Sequence, residues 1–328
     1  MRSWNYKLLC GAVCLAQLAC LSLPVWAAQN SAAFTRQTTL QQLRDDPAIK
    51  SSGYYTYCRE LSGLGNEYWK NKTLEQYMRP ELVDDSVAAM NLVAENTRNG
   101  VQVTWQVYSP EEVAADSSLG CVQLFWFPGT NTDGKYALVV GGNAAMKSGD
   151  LNEGIAVAAK LNKMGYSVFV LRYRIWWDLG DNGPLQDLGR AVQFITNHAG
   201  QFGVQPENYA LVGFSSGGQL CGLFSSDKRY GYKAYDVPKP GALLMGYPVN
   251  DFAEIKPVYH AVMDPASCRW RYYWSDISGG ITPDFPPTYF WYGKNDVTLK
   301  TLGYPFQGPA VRKALEANGV PCEVHVYE

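Results

Sequence analysis

Tyr209-Ala210-Leu211-Val212 reads as a short buried strand, and it passes with almost no connecting residues through Gly213-Phe214-Ser215-Ser216-Gly217 into the helix-like stretch Ser216 to Ser225. This is a G-x-S-x-G run in strand-to-helix context. Glycines two residues before and two after Ser215 leave room for a sharp, strained turn that lifts the serine off a sheet. The same turn aims the N–H of Ser216 at the place where a carbonyl oxygen would gain negative charge. With Gly and Ser each at roughly 7% of positions, the bare pattern occurs by chance in about one chain in ten of this length. The flanking periodicity therefore carries the argument that Ser215 is a nucleophile.

From Val101 onward strand patterns alternate with helical ones. Val101–Tyr108 and Cys121–Phe127 read as an opening pair of strands. Tyr136–Val140, Ser167–Leu171, Tyr209–Val212, Ala242–Met245, Thr288–Tyr292 and Glu323–Tyr327 follow, with helices expected near Asn152–Met164, Leu185–His198, Ser216–Ser225 and Pro309–Asn318. Such alternation predicts an α/β fold, a mostly parallel twisted sheet with helices on both faces and ligands at the carboxyl ends of the strands. Ser215 falls at such an end. Residues 29–100 are polar and tyrosine-rich, with Val83, Val87, Met90 and Ala94 at helical spacing before the Asn99-Gly100 turn. They read as an accessory segment packed on a main domain spanning 101–328. Asp251 to Pro287 is an aromatic insertion that suits a cap over the site or an ordinary packed excursion. Asp187 and Arg190 are spaced to pair on one helix face, in a structural role.

The formal charge of the 328 residues is -2 and no basic run is present. That balance argues against a nucleic-acid partner. Arg2 and Lys7 precede an apolar stretch from Leu8 to Leu23, then Val25-Trp26-Ala27-Ala28. Residues 1–28 thus read as a signal peptide cleaved after Ala27 or Ala28, which implies an exported protein, periplasmic or secreted, with no stable membrane partner. Five cysteines lie beyond that segment: Cys58, Cys121, Cys221, Cys268 and Cys322. Their spacing is not that of a metal site, and their odd number leaves at least one thiol unpaired whatever disulfide forms.

Several runs, in order, resemble the α/β-hydrolase superfamily, and within it the bacterial esterase/lipase group of acetyl-esterase-like and feruloyl-esterase-like enzymes. They are Ala137-Leu138-Val139-Val140-Gly141-Gly142-Asn143, Gly165-Tyr166-Ser167-Val168 leading to Leu171-Arg172-Tyr173-Arg174, Asp187 to Val192, the Ser215 turn, Gly246-Tyr247-Pro248-Val249, and Pro286 to Phe290 running to Gly293-Lys294-Asn295-Asp296. The resemblance implies a serine carboxylic-ester hydrolase working through an acyl-enzyme, with Ser215 as nucleophile and Asp296 as the acid. Asp251 is the reserve for that acid. It also implies an oxyanion hole built from Ser216 and from Gly142 or Asn143, although the family's glycine run is broken here by Asn143. It implies neither metal nor organic cofactor. The expected partner is a small-molecule ester, and Trp176, Trp177 and the aromatic insertion suit an acylated sugar or a phenolic group.

The family's general base is a histidine after the last strand, and no residue here matches it. His198 and His260 precede Asp296, and His325 lies within a strand pattern that runs to Glu328. The resemblance therefore implies a hydrolase domain that is incomplete at its C-terminus. An inactive hydrolase-fold binding protein and an unusual use of His325 stand beside that reading, with a prolyl-type peptidase as a further relative of the Ser215 turn.

Overall fold

The computed structural model describes residues 33–54, 70–78, 80–142, 150–174, 182–228, 230–252, 275–297, 300 and 307–328. The expected signal segment (residues 1–28), Cys58, Cys268, Trp176, Trp177 and most of the aromatic insertion lie outside them. Eight strands form one sheet: β1 (Thr104–Gln106), β2 (Gln123–Phe127), β3 (Tyr136–Val140), β4 (Ser167–Arg172), β5 (Ala210–Phe214), β6 (Ala242–Gly246), β7 (Thr288–Gly293) and β8 (Cys322–Tyr327). Their order is β1-β2-β4-β3-β5-β6-β7-β8. β2 runs antiparallel to both β1 and β4, and every other pair is parallel. The expected alternation of strands and helices is present, with shifts of one to three residues at most ends. The opening strand is shorter than its pattern.

The central strands are apolar without interruption because both of their faces are covered. β3 and β4 are buried at every position. Leu138, Val140, Phe169, Leu171, Leu211 and Met245 point into one core, together with Leu185, Leu188, Val192 and Ile195 of helix α3 (Gly183–Asn197; helices α1, Val83–Arg98, and α2, Ala156–Lys163, lie on the opposite face). Those four α3 residues recur at steps of three and four, the stripe that a 3.6-residue period turns toward a sheet. Helices α4 (Ser216–Phe224) and α5 (Gln307–Ala317) complete this face with Leu220, Val311 and Leu315.

Alternate strand residues, Ala137, Val139, Val168, Val170, Val212 and Phe214, form the second core. They meet α1 (Val83–Arg98), through Met90, Val93 and Ala94, and α2 (Ala156–Lys163), through Ala158. Leu43, Ile49, Tyr54 and Leu74 of the N-terminal segment join the same core. The segment is pinned to the sheet by Arg172, whose guanidinium lies 4.6 Å from the Phe125 ring centre and 5.3 Å from that of Tyr54. Among the described residues no helix is long and apolar enough to cross a membrane.

Asp187 and Arg190 do not pair with each other. Asp187 is fully buried and accepts hydrogen bonds from the Arg174 backbone N–H (2.8 Å), from Arg174 Nη2 (2.8 Å) and from the Tyr108 hydroxyl (2.7 Å). Arg190 reaches out to Glu112 at 2.8 Å. The reason is what each meets: Asp187 faces the sheet and is engaged by Arg174 just past β4, while Arg190, one turn along the helix and partly exposed, extends to Glu112 at the edge. Burial pushes the Asp187 carboxyl up, and the Arg174 guanidinium and the donated hydrogen bonds oppose it. Burial, then the neighbouring Asp187 charge, pushes the Tyr108 phenol up, so Tyr108 stays a donor. Removing the carboxylate leaves the buried guanidinium with Asp116, 4.0 Å away, as its remaining counter-charge. Asp187→Ala should therefore lose about 3–5 kcal/mol in urea unfolding, and Arg190→Ala less than about 1 kcal/mol.

Candidate active site

At the carboxyl end of β5 the backbone of Ser215 takes φ 53° and ψ −122°, a conformation that a side chain adopts only when its surroundings impose it. Three hydrogen bonds hold it there. The Ser215 N–H donates to Gly246 O (3.0 Å), and its carbonyl accepts from the N–H groups of Gln219 (3.2 Å) and Val249 (3.2 Å). The surrounding backbone is packed so closely that side chains do not fit. A Cβ on Gly217 would stand 2.5 Å from Val140 O and 2.6 Å from Gly141 O, and one on Gly213 would stand 2.7 Å from Cys221 Sγ.

Ser215 is half-buried, and among the described residues no hydrogen bond uses its hydroxyl or the N–H of Ser216. Ser216 opens α4, where the first N–H groups have no partner within the helix. Its N–H thus remains available beside Ser215, with the positive end of the helix dipole behind it. The Ser216 hydroxyl is buried and also unpartnered. Cys221 is no rival nucleophile, because complete burial pushes its thiol well up.

Gly142, after β3, lies against the same turn: a Cβ there would be 2.7 Å from Ser215 Cβ and 2.5 Å from Phe214 O. Its N–H donates to Glu153 Oε2 at 2.7 Å, and the Tyr247 hydroxyl donates to Glu153 Oε1 at 2.9 Å. Neither Glu153 nor Tyr247 is among the site residues expected from the sequence, where Tyr247 appears only in the Gly246-Tyr247-Pro248-Val249 run. The signal for Tyr247 was its place beside Gly246 at a strand end. Glu153 carried none, because it sits in a π-helical turn (Asp150–Ile155) that a 3.6-residue pattern does not reveal. Asn143 lies outside the described residues.

Asp296 is half-buried just beyond β7, in a turn closed by its N–H on Gly293 O (3.4 Å), and its carbonyl accepts from Lys300 N–H (3.0 Å). β6 alone separates β7 from β5, so Ser215 and Asp296 occupy strand ends about 10 Å apart by sheet spacing. Asp251 follows β6, and its N–H donates to Gln307 Oε1 at 2.6 Å.

The histidines are dispersed. His198 closes α3, with Nδ1 2.8 Å from Phe194 O and its ring stacked on Phe194 at 4.2 Å. His325 stands within β8 opposite Trp291, its Nε2 2.6 Å from Glu323 Oε1 and its ring 5.1 Å from that of Tyr289. His260 lies outside the described residues. Among the described residues no group of three or more His, Cys, Asp or Glu is placed to hold a metal ion.

Residues 128–237, which include β3 to β5 and the Ser215 turn, match the family model described as BD-FAE. An acetylxylan esterase of Xylanibacter ruminicola is 28% identical over 136 residues, 41% of this chain. The match spans 27% of that protein, so the chain covers about a quarter of the length of this relative. A lipase/esterase from Lactobacillus plantarum superposes with a TM-score of 0.53 at 21% identity, over 63% of this chain and 85% of that one. An acetyl ester-xyloside bifunctional hydrolase from Caldicellulosiruptor lactoaceticus does so with a TM-score of 0.52 at 21% identity, over 68% and 85%.

The close approach of β3 and α4 can be tested without reference to chemistry. Gly217→Ala should lose about 1–3 kcal/mol in urea unfolding, because its Cβ meets backbone that cannot yield. Gly200→Ala, whose Cβ has nothing within 4 Å, should be neutral or gain up to about 1 kcal/mol.

Proposed function

On the α/β-hydrolase fold that the sheet order and these likenesses establish, we propose that the protein is an exported serine carboxylic-ester hydrolase. The observation that carries this reading is the strained Ser215 at the end of β5, with the Ser216 N–H unengaged beside it. Ser215 Oγ attacks the ester carbonyl, and the oxyanion is held by the Ser216 N–H together with the loop that begins at Gly142 and Asn143. A general base, the histidine that the family resemblance implies, takes the serine proton and returns it to the departing alcohol. Asp296, two strands from Ser215, orients that histidine and stabilises its charged form. Water then attacks the acyl-enzyme by the same base and releases the acid.

The substrate class of this reading is a short acyl ester on a sugar, supported by the acetylxylan esterase relative. The native full-length protein should hydrolyse p-nitrophenyl acetate faster than octanoate and release acetate from acetylated xylan. Export rests on the N-terminal signal pattern, and sequencing the mature N-terminus should begin at Ala28 or Gln29.

A fluorophosphonate probe should label the native full-length protein, and Ser215→Ala should abolish labelling. Labelling that survives the substitution removes Ser215 from the reaction. If neither protein is labelled and no ester is turned over, the hydrolase-fold binding protein becomes the better reading.

Asp296→Asn should lower kcat by orders of magnitude, up to about 10⁴-fold, with its unfolding midpoint unchanged. A large loss in Asp251→Asn with little in Asp296→Asn reassigns the acid to the end of β6.

A further inference from the structure

Two loops that border Ser215, one after β3 and one after β6, are joined by a single side chain. Glu153 accepts the Gly142 N–H on one carboxylate oxygen (2.7 Å) and the Tyr247 hydroxyl on the other (2.9 Å). We propose that Glu153 is a positioning residue of the oxyanion hole, a clamp that fixes the Gly142 peptide plane beside Ser215 and is itself locked by Tyr247. The inference rests on the serine-hydrolase reading above for its effect on turnover, but the clamp itself is a property of the backbone.

Three observations support it. Gly142 lies in contact with the nucleophile's own turn, since a Cβ there would be 2.7 Å from Ser215 Cβ, so rotation of its peptide changes the wall of the reaction site directly. Tyr247 is held at φ 38°, a conformation rare for a bulky side chain, with its N–H on Trp291 O at 2.6 Å and its ring 6.0 Å from that of Phe214. Such strain persists only where the surroundings fix the residue at both ends. Finally, Glu153 is presented from a π-helical turn, which breaks the register of the helix that follows and lets the carboxylate reach back to the strand end. The Tyr173 hydroxyl holds the other side of the same peptide through Gly141 O (2.7 Å), so Glu153 and Tyr173 together leave this glycine peptide one orientation, and the loop that starts beside Ser215 leaves it in a fixed direction.

The carboxylate has a second conceivable effect, opposite in sign. A negative charge on the Gly142 N–H repels an oxyanion that needs the same donor, and its removal would then speed the reaction. The substitutions separate the two. In Glu153→Gln the amide oxygen still accepts the Gly142 N–H and the amide NH₂ can donate to the Tyr247 oxygen, so the clamp survives while the charge is lost. Glu153→Ala removes both.

In the native full-length protein with p-nitrophenyl acetate, Glu153→Ala should lower kcat about 10- to 100-fold, somewhat less than deletion of an oxyanion donor, with KM within about 3-fold. Glu153→Gln should stay within about 5-fold of the parent, and Tyr247→Phe should add little loss to Glu153→Ala, because the two act through one contact. A kcat that is unchanged or raised in Glu153→Ala overturns the proposal, and so does a Glu153→Gln as slow as Glu153→Ala. Amide hydrogen exchange at Gly142, read by NMR, tests the clamp without turnover. Exchange should accelerate at least 10-fold in Glu153→Ala and stay near the parent value in Glu153→Gln, and an unchanged rate in Glu153→Ala overturns the proposal. If the parent protein turns over no ester, the hydrolase reading fails and the exchange measurement alone decides the clamp.

Discussion

The first turn of α4 lies against the end of β3 at a distance that only a glycine hydrogen can fill, with Val140 O and Gly141 O on the far side of Gly217. That approach sets the angle at which α4 leaves β5. It determines that the single residue between them, Ser215, takes a positive φ. The unengaged Ser216 N–H, the half-buried hydroxyl of Ser215 and the neighbouring Gly142 peptide are consequences of the same packing. The chemistry proposed for this edge is thus specified by van der Waals contact among backbones before any charge is considered.

Charge enters mainly as scaffolding. Arg174 at the end of β4, Asp187 on α3 and Tyr108 beyond β1 form a buried polar group in which the carboxylate is surrounded by donors. A pair so deeply buried is costly to assemble and gains little net stability over an apolar contact, but it tolerates almost no displacement. It fixes the register of α3 against the sheet near the β4 end. By contrast, Arg36 with Asp84 and Arg312 with Glu316 are exposed pairs of the kind that add little.

The centre of the sheet was legible in the sequence because its strands are buried on both faces and read as continuous apolar runs, as Tyr136–Val140 does without error at either end. The Ser215 turn was legible because close packing demands glycine, and glycine is visible in a sequence. Other elements were not. The helix Pro110–Ala115 was overlooked although Ser109 and Glu112 spell a capping box with proline at the first turn, because the apolar period that signals a helix is absent from it. The Asp187–Arg190 pairing was misjudged because spacing on one helix says nothing of what the sheet presents to it. Glu153 was invisible for a similar reason: its role depends on a π-turn and on a tyrosine 94 residues away.

Strain at this edge is concentrated in two residues, Ser215 and Tyr247, and both are held by the end of β6 and its neighbours. Gly246 O takes the Ser215 N–H, Val249 N–H returns to Ser215 O, and the Tyr247 N–H rests on Trp291 O of β7. Each unfavourable φ costs on the order of 1–3 kcal/mol. A hydrogen bond contributes about 1 kcal/mol net. With the Gln219 N–H on Ser215 O these bonds are of the same order as the strain, and the ring contacts of Phe214 with Trp291 (5.8 Å) and with Tyr247 (6.0 Å) add to them. Phe214 is the residue just before Ser215 and points into the core opposite to the one behind Leu220. Its side chain thus links the strained serine to the packing of β6 and β7, so that the backbone hydrogen bonds and the hydrophobic core maintain its conformation together.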